Sequence, residues 1–199
     1  MERTQQASDV TGIIFLVGFM GSGKTTVGQH LAARLGGRFI DLDERIARAA
    51  GRSIPELFQT EGETGFRQRE HAALIQVCAE LRQDDLPWNI VALGGGTFTR
   101  PENRNHIRQT GCSVWLDVPF DILATRVVPD GRRPLWTSVD EARLRYEQRR
   151  ADYAQADIRV PVGTAPPEQV TEDVLRALSA FQRAGSSKSL TTQPGNSYE

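Results

Sequence analysis

The chain has 199 residues, of which 39% are hydrophobic and 25% are charged, a composition typical of one globular domain that needs no disulfide or structural metal. Its net charge of −1 argues against general binding to nucleic acid or to anionic membranes, so any bound anion must be held by local groups. The longest apolar stretch is too short to span a bilayer, and the polar N terminus lacks the basic start of a secretory signal. The two cysteines have no motif spacing, as is usual for buried thiols in a reducing compartment, so we expect a cytoplasmic protein. We also expect a monomer.

Short apolar runs alternate with helical patterns along the chain. This alternation predicts right-handed βαβ units, and therefore an α/β fold with a parallel sheet covered on both faces. We expect residues 1–11 to be a flexible N terminus, 12–183 to be the domain, and 184–199, rich in Ser, Thr and Gly, to be a disordered tail. The predicted strands are 13–17, 38–42, 90–93, 112–116 and 157–160, and the predicted helices are 25–35, 43–50, 53–61, 63–81, 101–108, 119–126, 138–155 and 167–182.

A phosphate-binding loop follows the first strand. From Gly18 to Thr25 the sequence matches the full pattern G-x-x-x-x-G-K-[S/T], in which glycines let successive N–H groups point at a phosphate. Lys24 can reach the outer phosphates, and the Thr25 hydroxyl can bind Mg²⁺. A chance match in a glycine-rich turn is the alternative, but the strand before and the helix after are the right context, and the only other lysine is Lys188. The loop therefore predicts nucleotide binding.

Two carboxylates, Asp41 and Asp43, follow at the end of the second predicted strand. Alternation along a strand would send both to one face, at the edge of the sheet where ligands of α/β proteins bind. One could orient metal-bound water, and the other could hold or deprotonate an acceptor hydroxyl. An aspartate that caps the next helix would explain one of the two instead.

Arg67, on the predicted helix 63–81, is suited to a bidentate grip on a carboxylate, and Glu63 and Glu70 are spaced to hold it in place. A solvated ladder of ion pairs is an equally good interpretation. Three glycines at 94–96, directly after a strand, could bring bare backbone against a ligand or could form a loose turn.

Pro129 and Gly131 interrupt the helical pattern and are followed by Arg132 and Arg133. An arginine-bearing segment of this kind is what a phosphoryl-transfer lid requires, because it must close over ATP and neutralise charge. We therefore expect a lid at about residues 127–136, with a basic surface loop as the alternative.

Several of these motifs, in this order, resemble the shikimate kinase family over roughly residues 12–180. They are GFMGSGKTTVG, FIDLDERI, GRSIPELFQTEGETGFRQRE, LGGGT, RRPL and an arginine that precedes Tyr153. The resemblance implies a P-loop three-layer sandwich of the nucleoside-monophosphate-kinase type with a five-stranded parallel sheet. It also implies transfer of the γ-phosphate of ATP to the 3-hydroxyl of shikimate, with Mg²⁺ as cofactor.

Carried over residue by residue, the resemblance implies catalytic roles for Lys24, Asp43 and Arg133. Arg149 is chosen over its neighbours Arg145 and Arg150 by counting back from Tyr153. A kinase for gluconate or another polyol acid, which should lack the acceptor set, and a nucleotide-binding regulator without turnover are the alternatives. The implied sites are Gly21, Ser22, Gly23, Lys24, Thr25, Thr26, Arg126, Arg133 and Pro167 for the nucleotide, Thr25 and Asp41 for the metal, and Asp43, Arg67, Gly95 and Arg149 for shikimate.

Overall fold

The computed structural model describes residues 12–83, 85–127 and 138–189, with only the backbone described from 185 onward. The predictions for residues 1–11, for Arg133 and lid residues 128–136, and for the last ten residues of the tail lie outside the described residues.

Five strands form one parallel sheet in the order β2-β3-β1-β4-β5, which confirms the predicted fold class. The central strand β1 is hydrogen-bonded on both sides, and Ile14, Phe15 and Leu16 are fully buried, because helices cover both faces of the sheet. This explains why its sequence is continuously apolar rather than alternating. The strands are β1 (Gly12–Val17), β2 (Arg38–Asp41), β3 (Trp88–Ala92), β4 (Gly111–Asp117) and β5 (Ile158–Pro161).

Seven helices in the described part of the chain surround this sheet, with a short 3₁₀ turn at Thr97–Thr99. The sequence predicts a tail from residue 184, whereas the last helix continues to Ser189. Val170, Val174 and Leu178 are buried and anchor this helix, and an anchored helix propagates at little cost per added residue. The helices are α1 (Lys24–Leu35), α2 (Leu42–Ala50), α3 (Ile54–Leu81), α4 (Pro101–Thr110), α5 (Phe120–Arg126), α6 (Val139–Tyr153) and α7 (Pro167–Ser189). None of the helices in the described ranges is long and apolar enough to cross a membrane.

The third helix is bent. Ser53 is its N-cap: the Ser53 hydroxyl accepts the backbone N–H of Glu56 while the Glu56 carboxylate accepts that of Ser53, so the predicted capping box is present. At Gly62 the torsions leave the helical region (φ 69°, ψ 179°). The helices predicted at 53–61 and 63–81 are therefore two arms of α3, which we call the first arm (54–61) and the second arm (63–81).

The topology brings the predicted motifs to one edge of the sheet. β3 lies beside β1, although β2 separates them in the sequence, so the segments that follow these strands emerge together. The phosphate loop follows β1, the paired aspartates follow β2 and the three glycines follow β3. In open parallel sheets this carboxyl edge, where the strand order reverses, is where ligands bind.

Candidate active site

A cavity of about 490 Å³ opens at this edge of the sheet. Among the described residues it brings together all of the predicted metal-binding and acceptor-binding side chains with most of the predicted nucleotide loop. The predicted site residues that line it are Gly21, Gly23, Lys24, Thr25, Thr26, Asp41, Asp43, Arg67, Gly95, Arg126 and Arg149.

A second, adjoining cavity of about 270 Å³ is lined by Ser22 and Pro167, which the first cavity lacks. Arg126 and part of the phosphate loop line both cavities. The Arg126 side chain is also held by the backbone, since its Nη2 donates to the carbonyl of Gly163 at 3.2 Å. Arg126 and Pro167, which the resemblance assigns to the nucleotide, therefore line one cavity next to the phosphate loop.

Lys24 lies across its own loop. Its ammonium donates to the carbonyls of Gly18 at 2.8 Å and Phe19 at 3.0 Å, and lies 3.4 Å from the Ser22 hydroxyl. Because α1 begins at Lys24, the free N–H groups and positive end of this helix lie beside the same charge. The loop thus concentrates positive charge and N–H donors at the base of the cavity, as a phosphate site requires.

Asp41 is the N-cap of α2, which corrects the reasoning from strand alternation. The second strand ends at Asp41, one residue earlier than predicted, and Asp43 already lies in the first turn of the helix. One Asp41 oxygen, Oδ1, accepts the backbone N–H of Asp43 at 3.1 Å, and the other, Oδ2, accepts the Thr25 hydroxyl at 2.9 Å. Both carboxylates reach the cavity, but the cap places them there, not a shared strand face.

The Asp43 carboxyl is buried, and its Oδ1 has no hydrogen-bond partner among the described residues. Burial raises its pKa to about 6, and the nearby carboxylates of Glu70 and Asp41 add to this shift, while Lys24 and Arg67 oppose it. A buried oxygen without a hydrogen-bond donor makes the charged carboxylate costly, which agrees with the raised pKa. Asp43 also lines the cavity, so its carboxyl group can accept a hydrogen bond from a molecule bound there.

Arg67 is held by the two glutamates that the spacing indicates. Its Nη1 lies 2.8 Å from Glu70 Oε2, and its Nη2 lies 3.2 Å from Glu63 Oε1. Glu70 is fully buried, and its other oxygen accepts the Thr97 hydroxyl at 2.6 Å. This is not a solvated ladder, because the central carboxylate is out of water and the guanidinium lines the cavity.

Two of the three glycines, Gly94 and Gly96, are required by close approach. A Cβ at Gly94 would lie 2.7 Å from Asp43 Oδ1 and from Glu70 Oε1, and a Cβ at Gly96 would lie 2.4 Å from the Arg67 Cζ. The bare backbone therefore accommodates the charged side chains of the protein itself, as well as lining the cavity. This excludes a loose turn as the explanation for the run.

Of the three candidate arginines on α6, only Arg149 lines the cavity. It is mostly buried, and its Nη1 donates to the Gly95 carbonyl at 3.0 Å. Arg150 instead donates to the Tyr146 hydroxyl at 2.7 Å and lies 5.6 Å from the centre of the Trp115 ring. The count back from Tyr153 thus selects the residue that reaches the cavity.

Sequence reasoning missed an apolar wall of this cavity. Ile54 and Phe58 of the first arm and Phe66 of the second arm line it, and the two phenylalanine rings pack with centroids 4.5 Å apart. The i, i+4 spacing of Ile54 and Phe58 is the signal that could have revealed it. The wall suits the apolar face of a small ring, and Phe66 within it lies beside the charged Arg67, whose Cζ is 5.3 Å from the ring centroid.

Comparison with known proteins agrees with this geometry. A family profile described as Shikimate kinase matches residues 20–179. The chain is 44% identical over 161 residues to a shikimate kinase of Synechococcus elongatus, covering 79% of this chain and 81% of that protein. It is 41% identical over 183 residues to one of Microcystis aeruginosa, covering 89% and 93%.

Among solved structures, a shikimate kinase from Acinetobacter baumannii in complex with shikimate superposes with a TM-score of 0.79 at 32% identity. That match covers 86% of this chain and 95% of the other. With the phosphate loop, the carboxylates and the arginines in one cavity, these matches lead to one conclusion: the chain belongs to the shikimate kinase family.

Proposed function

We propose that this chain transfers the γ-phosphate of ATP to the 3-hydroxyl of shikimate, giving ADP and shikimate 3-phosphate. The observation that carries the proposal is that Lys24 of the phosphate loop lines the same cavity as Asp43, Arg67 and Arg149. A phosphate donor and an anionic alcohol bound there would lie within reach of each other.

ATP consumption should be measured with shikimate, with gluconate and with neither acceptor. Turnover only with shikimate is the expected result. Turnover with gluconate alone would make the chain a kinase for a different acid, and no turnover with either would indicate a nucleotide-binding protein without this activity.

We infer that Mg²⁺ accompanies the nucleotide, held by the Thr25 hydroxyl and, through its waters, by Asp41. These two hard oxygen donors are in contact at 2.9 Å at the mouth of the phosphate loop. Mg²⁺ prefers few protein ligands together with substrate phosphates, so a two-residue site fits it. When bound, the metal would neutralise charge on the β- and γ-phosphates.

At the acceptor end, the guanidinium groups of Arg67 and Arg149 would hold the shikimate carboxylate. The apolar wall would contact the ring, and the Asp43 carboxylate would accept the hydrogen of the attacking hydroxyl. Lys24 would offset charge on the transferring group, and so would Arg133, which is not among the residues that the structure describes. Positioning and charge neutralisation thus carry the reaction, with no covalent intermediate on the protein.

The reaction should depend on pH through Asp43. Since a base must be ionised and burial raises the pKa of this carboxyl to about 6, kcat/KM for shikimate should rise as the pH increases from 5 to 7 and level off above it. A pH profile at saturating Mg·ATP measures this. A flat profile between pH 5 and 7 would contradict the assignment of Asp43 as the group that accepts the proton.

Arg67→Ala should raise the KM for shikimate by about 100-fold, because a charge-assisted grip on the carboxylate is lost, and leave the KM for ATP within about twofold. The matched control is Arg69→Ala on the same arm, whose exposed guanidinium pairs with Glu61 and should affect neither KM. An equal rise in both KM values for Arg67→Ala would mean that this arginine supports the fold of the site rather than the acceptor.

A further inference from the structure

The carbonyl of Gly95 accepts two hydrogen bonds from the same face of α6. One comes from Arg149 Nη1 at 3.0 Å, and the other from the hydroxyl of Tyr153, four residues further along the helix. Tyr153 is almost fully buried and ends α6, so its phenol cannot find water as an alternative partner. A tyrosine thus shares an acceptor with an arginine that lines the active-site cavity.

These bonds fix the orientation of the glycine turn. The carbonyl of Gly94 accepts the backbone N–H of Thr97 at 3.1 Å, and the carbonyl of Gly95 is held by α6. In a trans peptide the N–H points opposite to the carbonyl, so both peptide planes that flank Gly95 are set. The N–H groups of Gly95 and Gly96 therefore have defined directions before any acceptor arrives, in a segment whose glycines alone would leave it flexible.

We propose that Tyr153 is a positioning residue for the acceptor. By donating to the Gly95 carbonyl, it orients the glycine turn and keeps Arg149 aligned with that turn. This inference rests on the function proposed above. When Arg149 turns some of its donors to a carboxylate, the Tyr153 hydroxyl continues to satisfy the carbonyl, so the turn does not rearrange. Burial raises the pKa of Tyr153 to about 12, with Arg149 opposing this, so the hydroxyl remains a donor across the working range.

The test is Tyr153→Phe, which removes one oxygen and keeps the ring that packs against Trp115 at 6.1 Å between centroids. The matched control is Tyr146→Phe on the same helix, which removes a buried hydroxyl that donates to the Val118 carbonyl at 3.0 Å, away from the glycine turn. For each variant, the KM for shikimate, the KM for ATP, kcat and Tm are measured.

Tyr153→Phe should raise the KM for shikimate by about fivefold to tenfold, as expected for loss of one organising hydrogen bond, with the KM for ATP within about twofold. Tyr146→Phe should lower Tm at least as much, because its hydroxyl also accepts a hydrogen bond from Arg150, and leave both KM values unchanged. The split between the two KM values separates positioning from a general loss of stability, and ATP binding by the same sample reports that the variant is folded.

An unchanged shikimate KM in Tyr153→Phe, or an equal rise in both variants, would overturn the inference while the wild-type protein still phosphorylates shikimate. Failure of the wild-type protein to phosphorylate shikimate would instead overturn the proposed function, and the role of Tyr153 with it. The two failures are therefore distinguishable in one series of measurements.

Discussion

Replacing Lys24 with alanine is expected to lower kcat on the order of 1000-fold, the largest effect of any single change in the nucleotide loop. The ammonium lies at the base of the cavity, held by carbonyls of its own loop, so it can follow a phosphoryl group as charge develops there. Alanine removes that charge and leaves the backbone donors. Single-turnover rates with bound Mg·ATP and shikimate measure the loss at the chemical step.

The matched control for this prediction is Arg34→Ala, which removes a cation from the opposite end of the same helix. Arg34 is exposed and pairs with Glu172, so its loss should leave kcat unchanged. Near-normal turnover in Lys24→Ala would refute the role proposed for the lysine. A comparable loss in Arg34→Ala would show that the net charge of α1, rather than the position of Lys24, matters.

Asp43→Asn should lower kcat by about 100-fold to 10,000-fold, the range for loss of a general base. Asparagine preserves the size of the side chain but cannot take the proton of the acceptor hydroxyl. The KM for ATP should stay close to that of the wild-type protein, since Asp43 is expected to contact the acceptor. Retention of more than about a tenth of kcat would mean that Asp43 only orients the hydroxyl.

The same substitution should stabilise the fold. The carboxyl binds its proton more tightly in the folded protein (pKa about 6) than at its ordinary pKa of 3.8 in an unfolded chain, so the free energy of unfolding falls as the pH rises between these values. At neutral pH the ionised carboxyl therefore lowers the free energy of unfolding of the wild-type protein by on the order of 3 kcal/mol. The neutral amide of Asp43→Asn does not have this effect. Tm measured at pH 5 and pH 8 should favour Asp43→Asn more strongly at pH 8, and a variant less stable than wild type at pH 8 would contradict this account.

Much of this fold is predictable from short stretches of sequence. Strand β1 and the phosphate loop are specified by an apolar run, a glycine and a lysine within 14 residues (12–25), and the capping box at Ser53 and Glu56 is a local pattern. The sequence predicts the correct edge of the sheet for Asp41 and Asp43, but the argument from strand alternation is incomplete. It does not reveal that β2 ends at Asp41, one residue earlier than predicted, and that a helix follows directly.

The rest of the site depends on contacts between distant segments. Tyr153 and Gly95 are separated by 58 positions, and no local pattern links an aromatic residue at a helix end to a glycine turn. The need for glycine at 94 and 96 likewise arises from Asp43, Glu70 and Arg67, which reach the turn from two other elements. Such requirements become visible only when the sheet order is known.

The bend at Gly62 joins the two arms of α3, and both arms contribute side chains to the apolar wall of the acceptor cavity. The shape of this wall therefore depends on the backbone torsions of one residue. A Cβ at this position would meet nothing within 4 Å, so φ of 69° with ψ of 179°, and not crowding, demands glycine. Any other residue would strain this torsion, and relief of the strain by a change in the bend would alter the packing of Phe58 on Phe66. The range of ring acids admitted by this enzyme is therefore open to engineering at a site that touches none of them.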